Sequence, residues 1–121
     1  MSIEFNDVRY NQIRGVVELH LNKPSLDEKE LLILLKKIEQ RVAGKKVTLI
    51  ILMNNLKSIT RPARQLLCSV PKQMFESCVL LPSNHTQKII SRFFWGLNKT
   101  DYPVAVLKSV GEAYQWVNKG V

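Results

Sequence analysis

Cysteine, histidine, glycine and acidic residues are all scarce in this chain of 121 residues. The five glycines are scattered, which excludes a glycine-rich phosphate loop. Neither of the two histidines, His20 and His85, has a histidine, cysteine or carboxylate at ligand spacing, so we expect no metal and no cofactor. The two cysteines, Cys68 and Cys78, lack Cys-x-x-Cys spacing and are expected to be reduced and to pack as small hydrophobes.

Long hydrophobic runs are absent as well. No stretch approaches the ~18 apolar residues of a membrane span, and the first residues lack the basic start and apolar run of a secretory signal. Apolar residues nevertheless make up 45% of the chain, which is enough to fill one core. We therefore expect one soluble, cytoplasmic domain over residues 1–121.

Acidic residues are missing mainly from the second part of the chain. The net charge is +8, and residues 44–121 hold eleven Lys and Arg against three Asp and Glu. This excess predicts a positive field that attracts anionic partners. A solvated basic surface that only aids solubility is the alternative interpretation.

What is present is an alternation of strand and helix patterns. Val17, Leu19 and Leu21 alternate as in a half-buried strand, and residues 47–53 form an apolar, β-branched run typical of a central parallel strand. That run opens the first of three strand and helix units that complete the chain, which predicts the order β-β-α-β-α-β-α-β-α. We expect an α/β fold with a mixed, mostly parallel sheet of about five strands and about four helices.

Capping residues mark where the predicted helices begin. Ser25 and Glu28 form a capping box that is expected to open a long first helix ending near Gly44. Leu32 and Ile33 of this helix are expected to widen its apolar stripe, which consists of Leu31, Leu34, Leu35, Ile38 and Val42. Later helices are predicted to begin after Thr60, Asn84 and Ser109, and the spacing of Asn84 and Gln87 repeats the capping pattern.

Polar side chains follow the predicted parallel strands, at the edge where open α/β sheets bind ligands. Hydroxyls, amides and arginines at helix starts suit an anion, because free backbone amides and the helix dipole favour negative charge there. The alternative is that the hydroxyls and amides only cap helices and turn loops. The candidate partner or anion-binding edge consists of Asn55, Ser58, Thr60, Arg61, Arg64, Asn84 and His85.

A tryptophan on the helix after His85 provides a second candidate surface. The predicted apolar stripe of this helix consists of Ile89, Ile90, Phe93, Phe94 and Leu97. Trp95 is predicted to lie apart from that stripe, on a face shared with Lys88, Ser91 and Arg92. It could contact a second copy of this chain or an acidic protein, or simply fold over the helix edge. Nucleic acid is not expected, because no second aromatic residue shares this predicted face, and a single tryptophan gives little support for base stacking.

The residues Arg61-Pro62-Ala63-Arg64, Arg92-Phe93-Phe94-Trp95-Gly96-Leu97 and the tail from Pro103 to Val117 carry a family resemblance. In order and spacing the chain resembles the small bacterial SpoIIAA-like (STAS/SEC14-type) domains over nearly its whole length. The resemblance implies a non-enzymatic regulatory or protein-interaction module, which we expect to act through residues 54–64. A domain that binds an anionic small molecule at the same edge is the alternative.

The resemblance also implies a role for Ser58. In the anti-sigma-factor antagonists of this fold, a serine just before the second helix is phosphorylated to switch partner binding, and Ser58 occupies a similar place. Lys57 precedes it where those proteins have an aspartate. A phosphate on Ser58 or Thr60 would be received by Arg61 and Arg64.

Overall fold

In the part of the chain that the structure describes, four helices pack against a five-stranded sheet. The structure, a computed structural model, describes residues 5–68, 75–97 and 103–118, with residues 67, 68 and 92–97 described by their backbone alone. The elements in chain order are β1 Asp7–Asn11, β2 Val16–His20, β3 Ser25–Leu26, α1 Glu28–Val42, β4 Val47–Leu52, β5 Ser58–Ile59, α2 Arg61–Cys68, β6 Phe75–Leu81, α3 His85–Leu97, β7 Val104–Val106 and α4 Val110–Asn118.

The sheet has the predicted mixed, mostly parallel arrangement. Its strand order is β1-β2-β4-β6-β7, with β1 antiparallel to β2 and all other pairs parallel. The apolar run gives β4 at the centre of the sheet, as predicted. The strands β3 and β5 were not predicted, and they form a separate parallel pair through Ser25 opposite Ser58 and Leu26 opposite Ile59.

Each face of the sheet buries its own core. The helices α1 and α2 pack into one core, which Ser91 of α3 also reaches through Met53, whereas α4 packs into the core on the other face. Right-handed crossovers that step in one direction across the sheet are expected to give this division. Leu19, Leu49 and Leu80 point into the larger core with α1. Val16, Ile50, Val79 and Leu81 form the smaller core with Ala113 of α4. Strand alternation therefore divides β2, β4 and β6 between two layers.

The start of α1 and its outer face differ from the prediction. Asp27, not Ser25, is the N-cap, and its side chain accepts a hydrogen bond from the Glu30 N–H at 2.8 Å. Ser25 is held in β3, where it cannot cap the helix. Leu32 and Ile33 are 42% and 46% exposed, so the wide apolar stripe was also wrong, because α1 packs against the sheet on one side only.

The polarity of α3 was also predicted wrongly in part. Ser91 was expected on an outward polar face and is buried, whereas Ile89 of the expected apolar stripe is exposed. The Ser91 hydroxyl donates to the Gln87 carbonyl oxygen at 2.9 Å, which allows its burial. The predicted stripe residues Phe93, Phe94 and Leu97 have side chains outside the described part of the chain.

Candidate functional site

The carboxyl ends of three parallel strands lie side by side, as the sequence predicted. The Leu21 N–H donates to the Leu52 carbonyl oxygen at 2.9 Å, which joins the ends of β2 and β4. The Asn55 N–H donates to the Leu21 carbonyl oxygen at 3.1 Å. The Met53 N–H lies 3.5 Å from the Leu81 carbonyl oxygen at the end of β6. The loops that follow these strands therefore share one edge, which we call the carboxyl edge.

The segment from Lys57 to Thr60 is held through its backbone. The N–H groups of Lys57 and Ser58 both donate to the Pro24 carbonyl oxygen, at 2.7 and 3.0 Å. The Thr60 N–H donates to the Leu26 carbonyl oxygen at 3.0 Å. The residues Lys57, Ser58 and Thr60 are exposed. The segment therefore has a fixed main chain and solvent-facing polar side chains.

Two of the predicted site residues serve as helix caps. The Thr60 hydroxyl accepts a hydrogen bond from the Ala63 N–H at 3.3 Å, and the Asn84 side-chain carbonyl accepts one from the Gln87 N–H at 2.9 Å. Each cap satisfies one of the backbone donors that an anion would use. The alternative interpretation of these side chains as caps is confirmed, and the helix starts are less available to a small anion as a result.

The remaining predicted residues differ in accessibility. Arg61, the first residue of α2, is exposed, whereas Arg64, one turn further along, is partly buried. Asn55 is exposed and its side-chain amide donates to the Asn22 carbonyl oxygen at 3.0 Å. His85 is exposed at the start of α3. Arg61 is thus the more accessible of the two arginines.

A buried glutamine that sequence reasoning did not select joins the two halves of the predicted edge. Gln87 is 0% exposed, and its side-chain amide donates to the Leu56 carbonyl oxygen at 3.0 Å. Its side-chain carbonyl accepts from the Ser83 N–H at 2.7 Å and lies 2.9 Å from the Ser83 hydroxyl. The spacing of Asn84 and Gln87 had indicated a cap, but Gln87 reaches one residue further back and across to the neighbouring loop.

An asparagine network at the same edge was also missed. The buried side-chain carbonyl of Asn6 accepts from the N–H groups of Asn22 and Lys23, at 2.8 and 3.1 Å. The Asn54 side-chain amide donates to the Asn22 side-chain carbonyl at 2.8 Å. These residues are far apart in sequence and follow no motif, so no signal in the sequence could have grouped them. They fix the loop after β2 against the loop after β4.

A separate polar cluster lies on the α4 face of the sheet. The Tyr114 hydroxyl donates to the Glu18 carboxylate at 2.6 Å, and His20 Nε2 lies 2.9 Å from its other oxygen. Burial raises the pKa of Glu18, but the bonds from Tyr114 and His20 outweigh it and hold that pKa below its usual value. Burial, together with the bond to Glu18, raises the pKa of Tyr114 to about 12. The cluster fastens α4 to β2.

The second candidate surface is described only in part. Lys88 is exposed on α3. The side chains of Arg92 and Trp95 lie outside the described part of the chain, so the predicted interface around them stays a prediction. Within residues 5–68, 75–97 and 103–118, no group of three metal-binding side chains comes together. No helix in these ranges is long and apolar enough to cross a bilayer.

The architecture is that of the SpoIIAA-like α/β domains, which confirms the expected resemblance. The crystal structure of an uncharacterized protein from the DUF3478 family, from Shewanella loihica PV-4, has a SpoIIAA-like fold and matches this chain with a TM-score of 0.57. The two are 12% identical, over 93% of this chain and 92% of that one, so the likeness shows the fold alone. The chain belongs to the family described as Domain of unknown function (DUF7793), which matches residues 14–120. No curated protein matches it.

Proposed function

We propose that this domain is a non-enzymatic protein-interaction module that docks a partner on residues 54–64. The observation that carries the proposal is the anchored backbone of Lys57, Ser58 and Thr60 beneath exposed side chains. A surface whose main chain is already ordered loses little conformational entropy when a partner binds. The hydrogen bonds to Pro24 and Leu26 thus preorganise residues 54–64, which we call the docking segment.

Charge favours an acidic partner for this segment. Lys57 and Arg61 are both exposed, and the sequence places no Asp or Glu between Asn54 and Arg64. The exposed guanidinium of Arg61 can form a bidentate ion pair with a carboxylate. We therefore expect Asp or Glu side chains on the partner opposite Lys57 and Arg61.

The caps weigh against a small anionic ligand as the main occupant. Thr60 and Asn84 already use their side-chain oxygens on backbone donors, which a buried phosphate or carboxylate would need to replace. A protein surface can instead contact the outward side chains without displacing either cap. Protein binding is therefore the function that this geometry supports better.

The test compares two charge-reversal pairs at opposite edges of the sheet. Lys57→Glu/Arg61→Glu changes the proposed surface, and Lys45→Glu/Lys46→Glu makes the same change in net charge just before β4, at exposed positions. Proteins captured from extract by the wild type are identified, purified and titrated against all three forms by calorimetry. We expect at least a tenfold weaker association for the first pair, since charge reversal sets like charges opposite one another.

The control pair should bind as the wild type does. Equal affinity for all three forms, with a purified partner in hand, would place the interface elsewhere on the domain. Equal weakening by both pairs would show a general attraction to a basic protein instead of a docking segment. Circular dichroism spectra of the three forms should coincide, because every substituted side chain is exposed.

A further inference from the structure

The turn between β1 and β2 carries an apolar side chain that the fold does not use. Ile13 is 98% exposed at this turn. The turn is nevertheless well defined, because the Asn11 side-chain carbonyl accepts from the Arg14 N–H at 3.2 Å and Gly15 adopts a left-handed φ of 66°. A β-branched side chain is thus presented to solvent on an ordered tip.

Three exposed cations lie at the same edge of the sheet as this tip, opposite the docking segment. The Thr48 N–H donates to the Gly15 carbonyl oxygen at 3.0 Å, which sets the tip beside the start of β4. Lys45 and Lys46 immediately precede β4 and are exposed. Arg14 is also exposed and lies over the Tyr114 ring, 5.2 Å from its centroid. We call Ile13, Arg14, Lys45 and Lys46 the amino-edge patch.

We propose that the amino-edge patch contacts the surface of an anionic lipid membrane. Ile13 enters the boundary between headgroups and acyl chains, while Arg14, Lys45 and Lys46 face the anionic headgroups. An apolar side chain beside basic ones is the combination that peripheral proteins use at bilayer interfaces. The proposal does not rest on the docking segment, which lies at the other edge.

Other occupants fit the patch less well. A nucleic acid would use the three cations but would gain nothing from an exposed isoleucine. A second copy meeting this patch would set Lys45 and Lys46 against their own counterparts, which like-charge repulsion disfavours. A bilayer uses both features and needs no matching socket for a protruding tip.

Binding of this kind is expected to be weak, reversible and sensitive to salt. Each cation near an anionic bilayer strengthens association by roughly fivefold, and added salt screens that attraction. The exposed carboxylate of Glu76 at the start of β6 opposes it. We therefore expect binding to membranes rich in anionic lipid and none to neutral ones.

The experiment is sedimentation with vesicles of phosphatidylcholine alone and with about 30% phosphatidylserine added. The wild type should sediment with the second kind only. Ile13→Ser should weaken this partition roughly fivefold through the lost apolar burial. Lys45→Glu/Lys46→Glu should weaken it more than about tenfold. Lys57→Glu/Arg61→Glu, with the same net charge, should change it less than about twofold.

Several results would overturn the proposal. These are the absence of binding to the anionic vesicles, an unchanged partition for Ile13→Ser, or equal losses for the two charge-reversed pairs. Concentration-dependent dimerisation of the wild type that Ile13→Ser abolishes, measured by light scattering, would assign the tip to self-association instead. Ile13 has no buried surface to lose, so its variant should keep the wild-type melting temperature.

Discussion

The two edges of the sheet are built in different ways. At the carboxyl edge, side-chain amides of Asn6, Asn55 and Gln87 bond to the backbone of neighbouring loops. At the amino edge, Ile13 and two consecutive lysines stand exposed on short turns. The first edge has a fixed shape that suits recognition of a particular surface. The second edge presents an apolar side chain beside basic ones, a combination that suits the surface of a lipid bilayer.

Buried polar side chains explain why the carboxyl edge is ordered. A buried donor or acceptor that loses its partner costs about 1–3 kcal/mol, so each amide in the network also enforces the loop arrangement around it. Substitutions there should therefore destabilise the fold, whereas substitutions in the amino-edge patch should not.

Asn6→Ala should have the largest effect. It leaves the N–H groups of Asn22 and Lys23 without their acceptor, and we expect the free energy of unfolding to fall by about 2–3 kcal/mol. Asn54→Ala is the matched control, because that exposed side chain donates one bond at the same edge and should cost about 0.5 kcal/mol. Urea denaturation measures both. Equal losses of unfolding free energy in the two variants would contradict a central role of Asn6 in the asparagine network.

Gln87→Leu should cost about 1–2 kcal/mol and should also loosen the docking segment. The variant deprives the Leu56 carbonyl oxygen and the Ser83 N–H of their partner while keeping an apolar volume in place. Amide hydrogen exchange should become faster around Leu56 and Lys57. Lys88→Leu, at the next position on α3 but exposed, should leave both stability and exchange unchanged. Unchanged exchange rates in Gln87→Leu would show that Gln87 does not restrain the backbone around Leu56 and Lys57.

The Glu18 cluster should give the smallest loss and one that depends on pH. Its lowered pKa means that the ionised form stabilises the fold above the ordinary value of 4.5, and that this contribution disappears as pH falls through the folded-state pKa. Glu18→Gln should cost about 1 kcal/mol at neutral pH, and the difference should shrink as the pH falls below the ordinary value of 4.5 and through the lower folded-state pKa.

The contribution of Tyr114 to stability has the opposite pH dependence to that of Glu18, because it is lost as the pH rises. The pKa of Tyr114 is raised to about 12, so its contribution is complete below the ordinary value of 10 and disappears as pH rises through about 12.

Glu76→Gln, at an exposed position on β6, is the control for Glu18→Gln. A loss from Glu18→Gln that stays constant from neutral to acidic pH would show that the carboxylate's charge is not what stabilises the cluster.

The sequence predicted the main elements because their signals are local. The β-branched run of β4 and the caps Thr60, Asn84 and Ser109 all depend on neighbours within a few residues, and each was confirmed. The short pair β3 and β5 was missed because each strand has two residues, too few to show a period. That pairing also explains why Ser25 does not cap α1.

The candidate site was predictable only as a location. The carboxyl edge follows from strand order, but the amides that shape it come from loops whose proximity depends on tertiary structure. Gln87 shows the difference most clearly, since its spacing from Asn84 indicated a cap while its side chain bonds to a residue 31 positions away. Exposure likewise separated Arg61 from Arg64, which the sequence had treated alike.

The most direct test of the proposed function is a binding footprint at residue resolution. The isotopically labelled domain would be titrated with the purified partner, and amide chemical shifts would be followed along the chain. We predict changes concentrated between Asn54 and Arg64, with the amides of residues 12–15 and 44–47 unaffected. Changes confined to the amino edge or to α4, with the segment from Asn54 to Arg64 silent, would contradict docking at the carboxyl edge.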